Sequence, residues 1–231
     1  MDFFEVINKR RSVRRYTSKP VPAEVINKAL EAATLAPNSS NTQTWDFYWA
    51  RSSEMKSKMV EACLSQSAAR TAQELIVVVA DPSLWKRSNG PLIKYVEEIK
   101  APKPVHDYYR KLIPVMYRWG ILNSLAPFKW FMVNLSGLFR PMPRGPNTKA
   151  GIQGVAIKSA ALAAENFALA ITAQGFATCM MEGFDECRVS KALKLGCSAR
   201  VVMVISVGEE ATDGTMGPRF RIPTNLVVHE V

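Results

Sequence analysis

Apolar residues along this chain fall into two kinds of run. The first recurs at helical spacing. Val25, Ile26, Ala29, Leu30 and Ala33 predict an amphipathic helix over residues 22–36, with Pro22 in its first turn and Pro37 at its end. Residues 149–174 predict a longer helix, rich in alanine from Ala160 to Ala170 and apolar nearly all round. Such a helix is buried on more than one side, either as a core helix or at a dimer interface. Shorter helices are expected over 2–9, where Asp2 and Glu5 have capping-box spacing, over 53–64 behind Ser52 or Ser53, and over 186–195, closed by Gly196.

The second kind is a continuous apolar run of strand length. Leu75 to Ala80 reads as a central strand covered on both faces, and Val201 to Val207 as another strong strand. Weaker strands are expected at 46–51, with Phe47 and Trp49 on one face, and at 178–182 before a glycine turn. The tail from Arg219 to Val231 reads as extended: Pro223 bars a helix and Leu226-Val227-Val228 favours a strand. From about 82 to 147 prolines and aromatic residues recur instead, and strand-like runs are too few for a second core. That segment reads as an insertion of two or three helices within one domain spanning 1–231. Residues 121–139 are mostly apolar, but Asn123, Pro127, Lys129 and Asn134 make a poor membrane span. A helix pair over a pocket, or resting on a membrane surface, fits better.

Composition adds a sign to this picture. The 231 residues are 48% apolar and 22% charged, with a formal net charge of +10, so the partners implied are anionic. Two histidines and four scattered cysteines without metal-ligand spacing argue against a zinc site. Unpaired cysteines suit a reducing compartment, and Asp2 and Glu5 interrupt any signal-peptide pattern, so a cytoplasmic protein is expected.

Four stretches carry candidate chemistry. Lys9 to Arg15 holds five cations in seven residues. It reads alone as a solvated or nucleic-acid-attracting run, yet in extended backbone Arg10, Ser12 and Arg14 share one face. Asn38 to Thr44 is an uncharged string of amides and hydroxyls, an ordinary loop or a set of donors for a neutral heteroaromatic edge. Glu182-Gly183 ends a strand where backbone approaches a ligand closely. Arg219 and Arg221, two apart in extended chain, present two guanidinium forks suited to phosphate.

Taken in that order, these stretches resemble the nitroreductase family of FMN-dependent oxidoreductases, over residues 2–80 and 150–231. The resemblance implies an α+β fold: a three-layer αβα sandwich on a mixed, mostly antiparallel sheet, built as a homodimer with FMN at the subunit interface. Arg10, Arg11, Ser12 and Arg14 would contact flavin phosphate, ribityl and pyrimidine, with Arg14 stabilising the reduced ring. Pro37, Ser39, Asn41 and Gln43 would reach the flavin held mainly by the other subunit. Two departures mark that loop, since Asn38 replaces the family's serine and Thr44 its proline. Glu182 and Gly183 would offer main-chain contacts near the flavin N5, and Arg219 and Arg221 would hold the phosphate. A further contact from the helix before the central strand would fall to Gln66 or Arg70. The insertion at 82–147 would form a substrate lid, with Trp119, Trp130 and Phe131 as candidate pocket residues.

The implied activity passes hydride from NAD(P)H through the flavin to a nitroaromatic, quinone or related electrophile by a ping-pong mechanism. No metal and no nucleic acid would take part, and peripheral membrane contact by the insertion stays open. Alternatives within the fold are dehalogenase, desaturase or azoline-oxidase chemistry, or an FMN-binding sensor. Outside it stands a basic binder of nucleic acid or anionic membrane.

Overall fold

The structure is a computed structural model describing residues 1–118 and 124–231. Its centre is a four-stranded antiparallel sheet in the order β1-β2-β4-β3. The strands are β1 (Trp45–Trp49), β2 (Glu74–Ala80), β3 (Ala177–Met181) and β4 (Arg200–Gly208). Within the described residues the parallel element is a single isolated bridge, Ser12 to Thr178.

Both faces of the sheet are covered, which is why β2 and β4 are apolar throughout. Ile76, Val78 and Ala80 face one core with Phe47, Trp49, Met203, Ile205 and Val207. Leu75, Val77 and Val79 face the other with Tyr48, Val201 and Val204. Val201 and Met203 lie on opposite faces despite being two apart. The register slips between Val78 and Val79, and that bulge reverses the alternation of β4.

The first layer is α2 (Ala23–Thr34) packed on α9 (Lys149–Ala173). Ala29 and Ala33 meet Ala156, Ala160, Ala163 and Ala164, and these small side chains let the helices lie close. The alanine-rich helix is therefore a core helix on its inner side, while Ile157 and Leu162 remain exposed on its outer side. The opposite layer is α3 (Ser53–Ala62), α4 (Ser67–Thr71) and α10 (Glu186–Leu193). Ser52 caps α3, its side chain accepting from the Met55 amide at 3.1 Å. α10 ends before the expected Gly196: Lys194 takes the left-handed capping position at φ 54°.

Short helix α1 (Phe3–Lys9) opens the chain with the Asp2–Glu5 capping box. The inserted segment holds α5 (Trp85–Glu98), α6 (Lys103–Asp107), a π-helical turn at Tyr108–Leu112, α7 (Ile113–Tyr117) and α8 (Leu125–Ser136). That exceeds the expected two or three helices, because Pro102, Pro104 and Pro114 each sit at or near a new helix start. The expected strand at 226–228 does not form. Thr224–Leu226 makes one 3-10 turn and the tail is exposed, without a ladder partner among the described residues.

Candidate cofactor and active site

The basic run leaves α1 at Arg10, whose φ and ψ of −57° and 122° turn the chain extended. Hydrogen bonds then fix residues 12–17. The Val13 amide donates to the Thr178 carbonyl at 3.0 Å, Arg14 N to Gly214 O at 2.7 Å, and Thr17 N to Glu209 O at 2.9 Å. Val13 and Tyr16 turn inward and are buried, so Ser12 and Arg14 face out. The Tyr16 hydroxyl meets Ser206 Oγ at 2.8 Å and pins the segment to β4. Burial pushes the Tyr16 phenol well above its ordinary value, so it stays a neutral anchor.

Facing this segment is the stretch 216–221. Together they enclose a cavity of about 270 Å³ lined by Arg10, Arg11, Ser12, Arg14, Arg219 and Arg221 with Gly217 and Phe220. Five guanidinium groups line it and no carboxylate does. Arg11 donates to the Gly217 carbonyl, and Arg10 lies 3.6 Å from Glu165 on α9. Arg14 has no side-chain hydrogen bond or ion pair among the described residues.

Arg219 has a task that the sequence did not disclose. Its guanidinium donates to the carbonyls of Ile7 at 3.2 Å and Asn8 at 3.0 Å, and to that of Arg10. These are the last carbonyls of α1, the negative end of a helix pointing at the cavity. Arg219 satisfies them and offsets that negative end, so the field at the cavity stays positive. Desolvation first, then the neighbouring Arg221, Arg10 and Arg11, lower its pKa. A cluster of this kind gains from any bound anion, because each guanidinium repels the others until one is present.

The other candidate residues lie apart from this cavity. Pro37, Ser39 and Asn41 are exposed in the turn after α2. Ser40, Asn41 and Gln43 adopt positive φ of 57°, 52° and 47°. Such backbone is costly for non-glycine residues and persists only when its surroundings hold it. Here Asn38 Oδ1 accepts from the Gln43 amide at 2.9 Å, and Tyr108 and Tyr117 hydroxyls reach Ser40 Oγ (2.5 Å) and Thr42 Oγ1 (3.1 Å). Tyr117 is itself stacked on Trp85, with centroids 5.5 Å apart. Asn41 and Gln43 line a separate 540 Å³ cavity with Arg87, Ser88, Leu92 and Tyr95. Glu182 and Gly183 follow β3 and are exposed, and Gln66 Nε2 donates to the Gly183 carbonyl at 2.6 Å. Arg70, the other candidate from this region, is exposed on α4. Trp130 and Phe131 on α8 are 57% and 55% exposed and line none of these cavities. Trp119 lies outside the described residues.

The profile of the nitroreductase family matches residues 7–209. The chain belongs to the nitroreductase family. This nitroreductase-family chain is 25% identical over 228 residues to MhqN of Bacillus subtilis, provisionally named an NAD(P)H nitroreductase, covering 98% of each. The fold superposes on a provisionally named nitroreductase, ydfN, from the same organism with a TM-score of 0.78, 23% identity and coverage of 99% and 98%. A provisionally named nitroreductase from Exiguobacterium sibiricum, solved in complex with FMN, gives a TM-score of 0.74 at 24% identity, with 100% and 98% covered.

The donor set fits a flavin mononucleotide on this structure's own terms. Guanidinium forks without carboxylates suit its dianionic phosphate. On the strand bridged to Ser12, the buried Thr178 hydroxyl has no partner among the described residues. Ligand pockets run to about 300–1,000 Å³, so a cavity of about 270 Å³ holds one end of such a cofactor rather than the whole.

Proposed function

We propose that this chain binds FMN with its phosphate among Arg10, Arg219 and Arg221 and its pyrimidine edge toward Arg14, and works as an NAD(P)H-dependent flavin oxidoreductase on a nitroaromatic, quinone or related electrophile. The observation that carries this reading is the convergence of five guanidiniums on one cavity between residues 10–14 and 216–221. The named relatives support it: an NAD(P)H nitroreductase name on one and an FMN complex in another. Bound there, the flavin would take hydride from reduced nicotinamide and give it to the second substrate in a ping-pong cycle.

The chain's own residues bind, orient and shield. Arg219 neutralises the end of α1, while Arg10, Arg14 and Arg221 line the cavity and would meet phosphate and pyrimidine oxygens. Arg14, unpaired among the described residues, would be the cation that favours negative charge at the ring's pyrimidine edge. Gln66 holds the Gly183 carbonyl, which fixes the backbone at Glu182-Gly183. No side chain serves as nucleophile, because the redox chemistry belongs to the cofactor.

A second copy completes the site in this reading. The loop of Ser39, Asn41 and Gln43 lies off the chain's own basic cavity, so it serves a partner's. The outer face of α9, with Ile157 and Leu162 exposed beside Gly154 and Ala161, is the surface on which two copies meet. Helices α5 to α7, tied to that loop through Tyr108 and Tyr117, form the lid.

The test is the visible spectrum of the purified protein before and after anaerobic NAD(P)H. Flavin bands that bleach support cofactor and donor together. A colourless protein that takes up no added FMN removes the proposal, and flavin bands that do not bleach remove the nicotinamide step.

A further inference from the structure

Helix α8 is built inside out. Leu125, Phe128, Phe131, Met132 and Leu135 form one stripe along it and are 40% to 63% exposed. The stripe runs on past the helix end into Leu138 and Phe139, exposed by 75% and 83%. The polar residues turn the other way. Lys129 donates to the Met116 carbonyl at 3.4 Å and to that of Arg118, and burial lowers its pKa. Asn134 donates to the Trp130 carbonyl at 2.8 Å and accepts from Arg144 at 3.0 Å. No residue of α8 is buried. Water is a poor neighbour for so continuous an apolar face, and patches of this extent mark contact surfaces.

The charge around the stripe says what covers it. From Tyr108 to Ala164 the sequence has eight lysines and arginines and no aspartate or glutamate. Arg110 and Lys111 are paired with Glu97 and Asp107 outside that stretch. Arg118, Arg140, Arg144 and Lys149 make no ion pair among the described residues. Arg118 sits beside the middle of α8, and Arg144 donates to the Gly137 carbonyl at its end. Unpaired cations thus flank the stripe, Arg118 beside the helix and Arg140 and Arg144 past its end. A second copy docked by two-fold symmetry would bring these arginines against their own counterparts with no carboxylate between them. Nucleic acid would use the cations but has no use for Leu125, Met132, Leu135 and Leu138.

We propose that α8 and its flanking arginines dock the protein on an anionic lipid bilayer, the apolar stripe entering the headgroup region and Arg118, Arg140 and Arg144 meeting lipid phosphates. This is the geometry of an interfacial helix, and it stands independently of the flavin reading.

The experiment is co-sedimentation of the full chain with vesicles of phosphatidylcholine alone or mixed with phosphatidylglycerol. Binding to the mixed vesicles is expected, weakening with salt. Each change of Arg118, Arg140 or Arg144 to Gln should cost about fivefold in partitioning. The F128S/F131S/F139S variant should cost at least about tenfold. The single change Leu138→Ser, just past the end of α8, should weaken partitioning by about fivefold and tests the docking even if the triple variant unfolds. Equal binding to both vesicles, no binding to either, or partitioning unaffected by both sets of changes overturns the proposal. So does a halving of sedimentation mass in the triple variant, which would make α8 a contact between copies.

Discussion

Gly208→Ala tests how tightly the basic segment is moored. A methyl at residue 208 would stand 2.8 Å from Cγ and Cδ1 of Tyr16 and 2.9 Å from its Cβ. Carbon pairs rest at about 3.5–4.0 Å, so the ring would have to retreat by about 0.7 Å or more. It has little room, being buried and held at its far end by Ser206 Oγ at 2.8 Å, itself wholly buried. Overpacking of this kind costs about 1–3 kcal/mol, and loosening the hydroxyl bond adds about 1 kcal/mol. For a chain of this length that predicts a fall in Tm of about 5–15 °C by calorimetry. Because Tyr16 anchors residues 10–14, FMN affinity should fall with it. Removing the ring first, with Tyr16→Ala, should absorb most of the cost, and a double-mutant cycle should show coupling of about 0.5–3 kcal/mol. A Tm lowered by less than about 2 °C, or two losses that simply add, would refute the argument.

Arg219→Gln should weaken FMN binding by about tenfold or more in fluorescence titration, since a charge-assisted bond is worth about 1.5–3 kcal/mol. The same change should speed amide exchange at the end of α1, which an arginine acting on ligand alone would not do. Tyr117→Phe removes one hydroxyl bond to Thr42, about 1 kcal/mol, and should speed exchange across residues 38–44 about fivefold while Tm falls by about 2–4 °C. Thiol labelling at pH 8 should reach exposed Cys187 and Cys197 first, because burial pushes Cys63 up to about 11 and also raises Cys179. The Asp107 carboxyl is held down to about 2 by hydrogen bonds from Lys103 and then Lys111. A depressed carboxylate lends its support above the ordinary 3.8 and loses it as pH falls toward about 2, so helicity over 103–117 should hold from neutrality to about pH 4 and decline below it.

The sequence alone determined the elements whose signal is local. Continuous apolar runs marked β2 and β4, because strands covered on both faces lose their alternation. Helical spacing marked α2 and α9, and the Asp2–Glu5 and Ser52 caps marked where α1 and α3 begin. The motif order disclosed the family, and Arg10, Arg11, Ser12, Arg14, Arg219 and Arg221 do line one cavity although about 200 residues separate the two groups. Tertiary structure decided what each of those arginines does. Nothing in the spacing of Arg219 shows that it would cap α1, since a helix end acquires a partner only once the chain is folded back on it. Lys194 took the left-handed cap in place of Gly196, and the bulge in β4 set which valine faces which core, because packing overrides propensity at single positions. The tail remained without the strand its sequence favours, for the same physical reason: a strand is a relation between two segments, and its own residues state only half of it.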